Sequence, residues 1–430
     1  MTRWQKQRLD IYITKDGSSR MHKENPYLFP SVPPLTKPDD ANLSAAIRRM
    51  YDRWHPLGDR ANDLFSNFKY SRVTGIGSEI GVSRRDPSSI INVDGEYYVW
   101  YTKRDTDDPP AGLEGQTLTR PAVDWDLADI WYATSINGFD WRERGVAVHR
   151  APKGHYGDRS LSTPGILVCE QKYYLYFQCF TNQWEPHDCV SVGMAWAESP
   201  DGPWHRLDQP VIERGGAEAW DGCAIHDPHP LVYRDKIWVY YKGSPIDKSG
   251  QAFLRAQGVA ISENPEGPFI KSELNPVTNS GHETCLFPFR DGIAAIISLD
   301  GPEKNTIQFA PDGLNFSVKS HIILPPVAPG VFAHDMFAGN DDGRGITWGL
   351  CHIRVRNLQD PATRNEIRCF IARFDCDLSI DISRPEFKGT NIRFSESVHF
   401  DLEAAMKLSS ELKDQIVHEQ LDQKKPTIGT

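Results

Sequence analysis

A short charged turn followed by a strand rich in aromatic residues recurs five times along the chain, and this repeat constrains the fold more than any other feature. The copies read VDGEYYVWYTKR from residue 93, EQKYYLYFQCF from 170, RDKIWVYYKGS from 234, RDGIAAIISLDG from 290 and, more weakly, GRGITWGLCHI from 343. A second phrase alternates with the first: a strand of small residues runs into a glycine turn and an aromatic residue, as in VGMAWAESPDGPWHRLDQPVI from 192. Each repeat therefore supplies several short strands.

The turns inside the repeats are Asp-Gly, Asn-Gly and Glu-Gly pairs, which favour tight antiparallel hairpins. Repeated four-stranded units of this kind are typical of propeller blades. The five copies predict an all-β fold, a five-bladed β-propeller, over residues 71–390. A β-sandwich with irregular loops is the alternative, but sandwiches do not repeat a whole strand-turn-aromatic phrase.

Residues 1–70 stand outside the repeat and predict an N-terminal extension with a helical arm. Within KPDDANLSAAIRRMYDRWH, apolar side chains recur at helical spacing behind the candidate caps Asp40, Asn42 and Ser44. The apolar stripe consists of Leu43, Ile47, Met50, Tyr51 and Trp54. The Pro-rich segment before the helix would permit its exchange between two subunits, so we expect a homodimer. Residues 391–430 predict a peripheral helix and a charged tail.

The composition narrows the partners. A net charge of −10 disfavours nucleic acid and anionic membranes, whereas neutral or weakly charged ligands fit better. No signal peptide or apolar stretch of membrane-spanning length is seen, so a cytoplasmic protein is expected, or a periplasmic one if a leader has been lost. The eight cysteines form no CxxC pair and predict free thiols, mostly buried.

Ionisable residues precede the aromatic strand in three of the repeats. Asp86 in SRRDPSSII and Asp227 in CAIHDPHPLVY are both followed by proline, and His282 and Glu283 lie in NSGHETCLF. Innermost propeller strands converge on one axis, so these groups are expected to cluster there, where their pKa values would be pushed apart. The alternative is that Asp-Pro pairs only start strands or cap turns.

Paired carboxylates around one mouth are the minimal apparatus of glycoside hydrolysis, in which one activates water and the other protonates the leaving oxygen. Three further residues are candidates to hold a sugar: Trp125 in AVDWDLADIWY, Thr163 in SLSTPGIL and Gln178 in LYFQCF. Ordinary loop or core packing is the alternative for each of them. The sequence thus indicates a carbohydrate-active enzyme, although it does not select the sugar.

The motifs RRDPS, HDPH and GHET, occurring in order, resemble those of five-bladed glycosidases. Together with LSAAIRRMYDRW they resemble glycoside hydrolase family 117, the α-1,3-L-neoagarooligosaccharide hydrolases. Ser44, Ala46 and Arg49 match that family's S-x-A-x-x-R motif, which belongs to a helical arm exchanged between the subunits of a dimer. The resemblance spans roughly residues 30–390.

This resemblance implies an exo-acting enzyme that removes 3,6-anhydro-L-galactose from the non-reducing end of agar-derived oligosaccharides, with inversion. Asp86 looks like the general base, and Asp227 is similar to the second aspartate, which orients the substrate and tunes the acid. The substrate-binding residues implied are Trp125, Thr163, Gln178 and His226. The chemistry needs no cofactor, but the family holds a divalent cation in the axial channel, to which His334 and Asp335 could contribute.

The general acid of the family has been assigned either to the histidine or to the glutamate of the His-Glu pair. Adjacent strand residues face opposite sides, so only one of His282 and Glu283 should face the substrate. A histidine acid must be protonated, which a carboxylate such as Asp227 would promote by raising its pKa. We favour His282 as the acid, with Glu283 holding it or binding a hydroxyl.

Three alternatives remain open at this point. One is a related glycosidase that acts on another anhydro-galactoside, such as a carrageenan-derived one. Another is a glycoside phosphorylase, for which Arg84 and Arg85 would have to bind phosphate. The third is a sugar-binding propeller without activity, which the presence of all three ionisable positions disfavours.

Overall fold

The computed structural model describes residues 39–52, 64–106, 108–112, 114–181, 190–245, 256–339, 342–356 and 367–381. These residues are mainly β-strand, with one α-helix, α1 (Ala45–Asp52), and a short 3-10 turn at Asp40–Asn42. The predicted peripheral helix and tail at 391–430 and most of the extension at 1–70 lie outside the described residues. The predicted domain boundaries therefore stay predictions.

The strands follow one another with short connections. In chain order they are β1 (Lys69–Arg72), β2 (Val82–Arg85), β3 (Ile91–Val93), β4 (Glu96–Asp105), β5 (Asp129–Ser135), β6 (Arg142–Val148), β7 (Ser160–Cys169), β8 (Lys172–Phe180), β9 (Ser191–Ala197), β10 (His205–Arg206), β11 (Ala224–Tyr233), β12 (Lys236–Ser244), β13 (Ala256–Ser262), β14 (Ile270–Lys271), β15 (Cys285–Arg290), β16 (Gly292–Ile297), β17 (Thr306–Ala310), β18 (Ser317–His321), β19 (Gly330–Phe332), β20 (Gly343–Arg356) and β21 (Ile367–Ser379).

These strands form four antiparallel sheets. We call β2–β6 the first unit, β7–β10 the second and β11–β14 the third, and each of these units is a separate sheet. The remaining strands share an eight-stranded sheet, which contains a fourth unit, β15–β18, and a fifth unit, β19–β21 completed by β1. The antiparallel order within each unit agrees with the hairpins predicted from the turns.

The fourth and fifth units are joined by a short pairing, in which Phe289 and Arg290 face Arg344 and Gly343. β1 pairs with β21 from Lys69 to Arg72, which brings the start of the described β-structure to its end. No sheet among the described strands closes on itself. The mainly β fold is thus confirmed, while five separate blades stay a prediction.

The repeated aromatic strand is the second strand of the first three units, and it is buried on both faces. Trp100 of β4 shares a core cluster with Leu175 and Phe177 of β8, so the first two units pack face to face. Tyr176 of β8 and Tyr241 of β12 share another cluster between the second and third units. Burial on both faces explains why these strands are continuously apolar rather than alternating.

Helix α1 packs its predicted apolar face against the same chain. Ile47 and Met50 are buried beside Ala256 at the start of β13. Ser44 is the capping residue, since its hydroxyl accepts the Ile47 N–H at 3.3 Å and also donates to the Pro276 carbonyl at 2.7 Å. The exchange of this helix between subunits stays a prediction, and Trp54 lies outside the described residues.

Seven of the eight cysteines are described, and all seven are free thiols, five of them buried. This agrees with the predicted absence of a disulfide framework. Among the described residues, no helix is long and apolar enough to cross a membrane.

Candidate active site

Each of the five units places one non-glycine residue in the left-handed backbone conformation at the same point of its first strand. These residues have φ between 48° and 58°, and they are Asp86, Thr163, Asp227, Glu283 and Ala328. Such a conformation is uncommon for residues with a Cβ atom. Its recurrence at one point of five units marks a structural position that the repeat preserves. Four of the five residues precede proline, and Glu283 precedes Thr284.

A bulge in the strand accompanies this position. The register between β7 and β8 shifts between Ser162 and Gly165, and that between β11 and β12 shifts between His226 and His229. In the first unit the same interruption separates β2 from β3, both of which pair with β4. A bulge redirects a side chain out of the regular alternation, which is why such features occur beside functional sites.

Asp86, the predicted base, is almost fully buried and surrounded by cationic or hydrogen-bonding groups. Its Oδ2 lies 2.7 Å from Arg85 Nε, and its Oδ1 lies 3.2 Å from His352 Nδ1. Burial alone would raise the pKa of Asp86, but the Arg85 charge and His352 outweigh it and hold the pKa below its usual range. The carboxylate is therefore ionised at neutral pH, as a general base requires.

The Arg85 guanidinium links three carboxylates of different segments. Besides Asp86 it contacts Asp124 at 3.2 Å and Glu283 Oε1 at 2.5 Å. Arg84 is also engaged, because it forms ion pairs with Glu143 and Glu79. Both guanidinium groups are thus occupied by carboxylates, which disfavours the phosphate site that a phosphorylase would need.

Asp227, the second predicted aspartate, is held by a lysine on the neighbouring strand. Lys242 Nζ lies 2.8 Å from Asp227 Oδ2, and the same oxygen accepts the Glu283 N–H at 3.3 Å. Burial raises the pKa of Asp227, but the Lys242 charge and the two histidines His282 and His226 lower it to about 2. Asp227 is therefore a carboxylate that orients its neighbours rather than a proton donor.

His282 and Glu283 face different surroundings, as expected for adjacent residues. The Glu283 side chain is 2 % exposed and ion-paired with Arg85, whereas the His282 side chain is 19 % exposed. His282 Nδ1 lies 3.0 Å from Asp300 Oδ2, a bond that fixes the orientation of the ring. Of the two residues, His282 is the more accessible to a substrate.

Asp227 raises the pKa of His282, as expected from the sequence, but the net shift of this pKa is downward. Burial and the positive charge of Lys242 lower this pKa, and they outweigh Asp300, Glu283 and Asp227, which raise it. Lys242 could not be predicted to act on His282, because its place opposite His226 depends on the strand register beside a bulge.

Of the four predicted sugar ligands, Thr163 and Gln178 lie on the first two strands of the second unit, His226 lies on the first strand of the third unit, and Trp125 lies in the loop before β5. Trp125 lies under the Arg85 guanidinium, 4.9 Å from it. Thr163 occupies the left-handed position of the second unit, and His226 directly precedes Asp227 on β11. Gln178 is 5 % exposed on β8, and its amide is bonded to Ser162 Oγ and the Asp227 N–H. Their contact with a sugar stays a prediction.

Three of the described residues could hold a cation: Asp86, Glu283 and His352. Each of them offers one ligand atom, and these atoms lie within 4.8 Å of one another. Asp86 Oδ1 and Glu283 Oε2 are buried without a hydrogen bond to a described residue. Two carboxylate oxygens and an imidazole nitrogen suit a divalent ion, so this donor set fits one. His334 and Asp335, the contributors named from the sequence, are not in this group, and Asp335 Oδ2 instead accepts the Arg344 N–H.

Four residues of the site escaped the sequence analysis in their structural roles: Arg85, Lys242, Asp300 and His352. Lys242 and His352 lie on the second strands of the third and fifth units. Lys242 is opposite His226 and His352 is opposite Val327, and each of these partners directly precedes the left-handed residue of its unit. That position is occupied in the first two units by Thr102 and Gln178. Aligning the aromatic strands by their ends could have identified Thr102, Gln178, Lys242 and His352 as equivalent positions.

The chain is similar to solved structures of glycoside hydrolases. No family model matches the chain, and no curated protein matches it. Among solved structures, the chain is 44% identical to Zg3597, a family 117 glycoside hydrolase of the marine bacterium Zobellia galactanivorans. The match covers 80% of this chain and 98% of that chain, with a TM-score of 0.70.

More distant structures are also similar. A thermostable family-43 glycoside hydrolase is 14% identical, with 71% of this chain and 92% of that chain covered and a TM-score of 0.46. The Bombyx mori family-32 β-fructofuranosidase BmSUC1 is 12% identical, with 72% and 61% covered and a TM-score of 0.48. These likenesses are too weak to support a functional conclusion.

Proposed function

The chain belongs to glycoside hydrolase family 117, and from that membership we propose that it removes 3,6-anhydro-L-galactose from the non-reducing end of neoagarobiose and neoagarooligosaccharides, cleaving the α-1,3 bond with inversion. The observation that carries the proposal is the arrangement of Asp86, Asp227 and Glu283 at one equivalent position of three units, with His282 beside them. The choice of agar rests on the motifs of the arm and of the three units.

Asp86 acts as the general base in this proposal. Its carboxylate takes a proton from water as the water oxygen attacks the anomeric carbon of the anhydro sugar. The ion pair with Arg85 and the contact with His352 keep it ionised and fix its direction. The same contacts make Asp86 a weaker base, because a lowered pKa reduces the affinity of the carboxylate for the proton.

His282 gives its proton to the glycosidic oxygen that leaves with galactose. Asp300 accepts from Nδ1, so Nε2 is the nitrogen that faces the leaving group. Glu283 is less well placed to reach the leaving oxygen, since its carboxylate is buried and bonded to the Arg85 guanidinium. Asp227, fixed by Lys242, binds the substrate and offsets part of the lysine charge felt by His282.

A divalent cation held by Asp86, Glu283 and His352 is part of the proposal. When bound, it would supply positive charge close to the base and would fix the two carboxylates relative to each other. Arg85 already contacts the other oxygen of each carboxylate, so the ion would share these groups with a fixed cation. Elemental analysis of the purified protein, before and after a chelator, tests for the ion.

The architecture proposed with this function is a five-bladed β-propeller in which β1 completes the fifth blade, with a helical arm that exchanges between two subunits. The pairing of β1 with β21 supports the first part. The docking of this helical segment through Pro276 and Glu303, which are distant in sequence, supports the second part, since the same surface could accept the helix of a partner. Light scattering of the full chain measures the mass in solution.

The experiment that tests the reaction is product analysis by mass spectrometry and chromatography. The protein is incubated in phosphate-free buffer with neoagarobiose, and in parallel with the corresponding carrageenan-derived disaccharide. Release of 3,6-anhydro-L-galactose and galactose from the first substrate alone is expected. Cleavage of the second alone would redirect the substrate, dependence on added phosphate would indicate a phosphorylase, and binding without any product would indicate a silent propeller.

A further inference from the structure

Four of the five left-handed residues donate their backbone N–H to a side chain of a neighbouring unit. In three cases the backbone N–H of the left-handed residue donates to a side chain on the second strand of the unit before it. The bonds run from Thr163 N to Thr102 Oγ1 at 2.9 Å, from Asp227 N to Gln178 Oε1 at 3.2 Å, and from Asp86 N to His352 Nδ1 at 3.3 Å. The fifth unit thus acts on the first, as the first acts on the second.

The fourth unit departs from this rule for a chemical reason. The second-strand residue before it is Lys242, whose ammonium group has no lone pair to offer. Asp227 accepts the Glu283 N–H instead, through the oxygen that Lys242 also binds. The Glu283 N–H therefore still donates to a side chain of the third unit, although the residue at the second-strand position cannot accept it.

The backbone conformation explains why such an acceptor is favourable. A bulge removes the residue from the regular ladder, so its N–H loses its usual acceptor, and leaving it buried without one is unfavourable. A left-handed non-glycine residue is itself strained and persists only if its surroundings determine it. A side-chain acceptor from the preceding unit meets both requirements.

We infer that Thr102 and Gln178 are positioning residues, which hold the predicted base Asp86 and the aspartate Asp227 through bonds between neighbouring units. The Thr102 hydroxyl donates to Asp86 Oδ2 at 3.3 Å while it accepts the Thr163 N–H, so one hydroxyl joins the base to the second unit. Thr102 is fully buried on β4, opposite Arg85. It does not touch the substrate and acts through Asp86.

Gln178 does the same one unit later. Its Oε1 accepts the Asp227 N–H, and its Nε2 donates to Ser162 Oγ at 2.6 Å, in the strand that carries Thr163. Both ends of the amide are therefore engaged by the protein. This assigns Gln178 a role in the support of Asp227, beside the contact with the sugar that the family resemblance implies, because the amide keeps one further N–H and one further lone pair.

The kinetic part of the test rests on the proposed function. Thr102→Val removes the hydroxyl at nearly constant volume, and Thr102→Ser keeps it. Thr134→Val is the matched control, because Thr134 is equally buried on the adjacent strand and its hydroxyl is bonded to Arg144. We expect kcat on neoagarobiose to fall about tenfold or more in Thr102→Val, with KM within about twofold. Thr102→Ser and Thr134→Val should stay near the unaltered protein.

Hydrogen-deuterium exchange followed by mass spectrometry provides a readout that does not depend on activity. Thr102→Val should accelerate exchange in the peptide containing Thr163 and leave the peptide containing Asp227 unchanged. Gln178→Met should do the reverse. Each variant is thus the control for the other, and general destabilisation would affect both peptides alike.

Equal exchange in both peptides, or unchanged exchange in either variant, would overturn the inference. So would a Thr102→Ser protein as impaired as Thr102→Val, or a change in KM without a change in kcat. If the unaltered protein does not cleave neoagarobiose, the proposed function fails, but the exchange comparison still decides whether these residues hold their neighbours.

Discussion

Nη2 of Arg85 lies 2.5 Å from Oε1 of Glu283, so a guanidinium of the first unit is ion-paired with a carboxylate of the fourth. The same group holds Asp86 through Nε at 2.7 Å. The predicted base and Glu283 thus share one buried cation, and their separation is set by the width of a single side chain. The geometry of the site therefore depends on the packing of the first unit against the fourth, since Arg85 and Glu283 are 198 positions apart in sequence.

Replacement of Arg85 by methionine should therefore damage both stability and activity. Three buried carboxylates, Asp86, Asp124 and Glu283, would lose their cation, and breaking a buried pair in this way costs about 3–5 kcal/mol. Chemical denaturation measures the loss, and turnover of neoagarobiose should fall with it. Arg142→Met, at an exposed position of β6, is the control and should be close to neutral. Comparable stability of the two variants would show that the bridge contributes little.

His282→Ala should lose about 10² or more in turnover if His282 is the general acid. Asp300→Asn should cause a smaller loss, because the ring keeps its place but loses the carboxylate that orients it. Steady-state kinetics on neoagarobiose measure both. The assignment reverses if His282→Ala is nearly active while Glu283→Gln is not.

The alkaline limb of kcat/KM should lie below pH 6.5, the ordinary histidine value. The acid must be protonated, and burial and the Lys242 charge lower the pKa of His282, so activity is lost as the pH rises through that lowered value. Lys242→Met removes the opposing charge and should move the limb to higher pH. A limb that shifts downward, or one that stays in place, would contradict this account of the site.

Arg49→Met should loosen the docking of helix α1. Arg49 forms a two-point ion pair with Glu303, at 2.7 and 2.8 Å, and donates to the Phe316 carbonyl. Glu303 is buried and would keep only Gln308 as a side-chain partner among the described residues, so we expect a loss of about 1–3 kcal/mol. Thermal unfolding together with light scattering measures stability and subunit association. Arg48→Met, at a half-buried neighbouring position, should change neither.

The sequence was enough to locate the ionisable positions, and the reason is the repeat. Asp86 and Asp227 both precede proline after an interrupted strand, and the same local pattern recurs at Thr163, so equivalent positions could be compared without a structure. Glu283 lacks the proline, but the order of the repeats placed it in the same series. The mainly β fold followed from the same turns and aromatic strands.

The partners of these residues could not be predicted in the same way. Lys242 and His352 act across a bulge or between units, so their effect depends on the register and on which strands become neighbours. Asp300 lies in the turn after the apolar strand β16, and only the structure shows His282 beside it. Arg85 is visible in the sequence, but its three carboxylate partners are not, and it was therefore considered as a phosphate ligand.

The measurement that tests the central claim most directly is proton NMR of the anomeric signals during cleavage of neoagarobiose, recorded from the first minutes in phosphate-free buffer. With Asp86 as base and His282 as acid, 3,6-anhydro-L-galactose should be released first in the configuration opposite to that of the bond cleaved. The Asp86→Asn protein should release none on the same time scale. Release with the original configuration, or turnover that survives Asp86→Asn, would contradict the account.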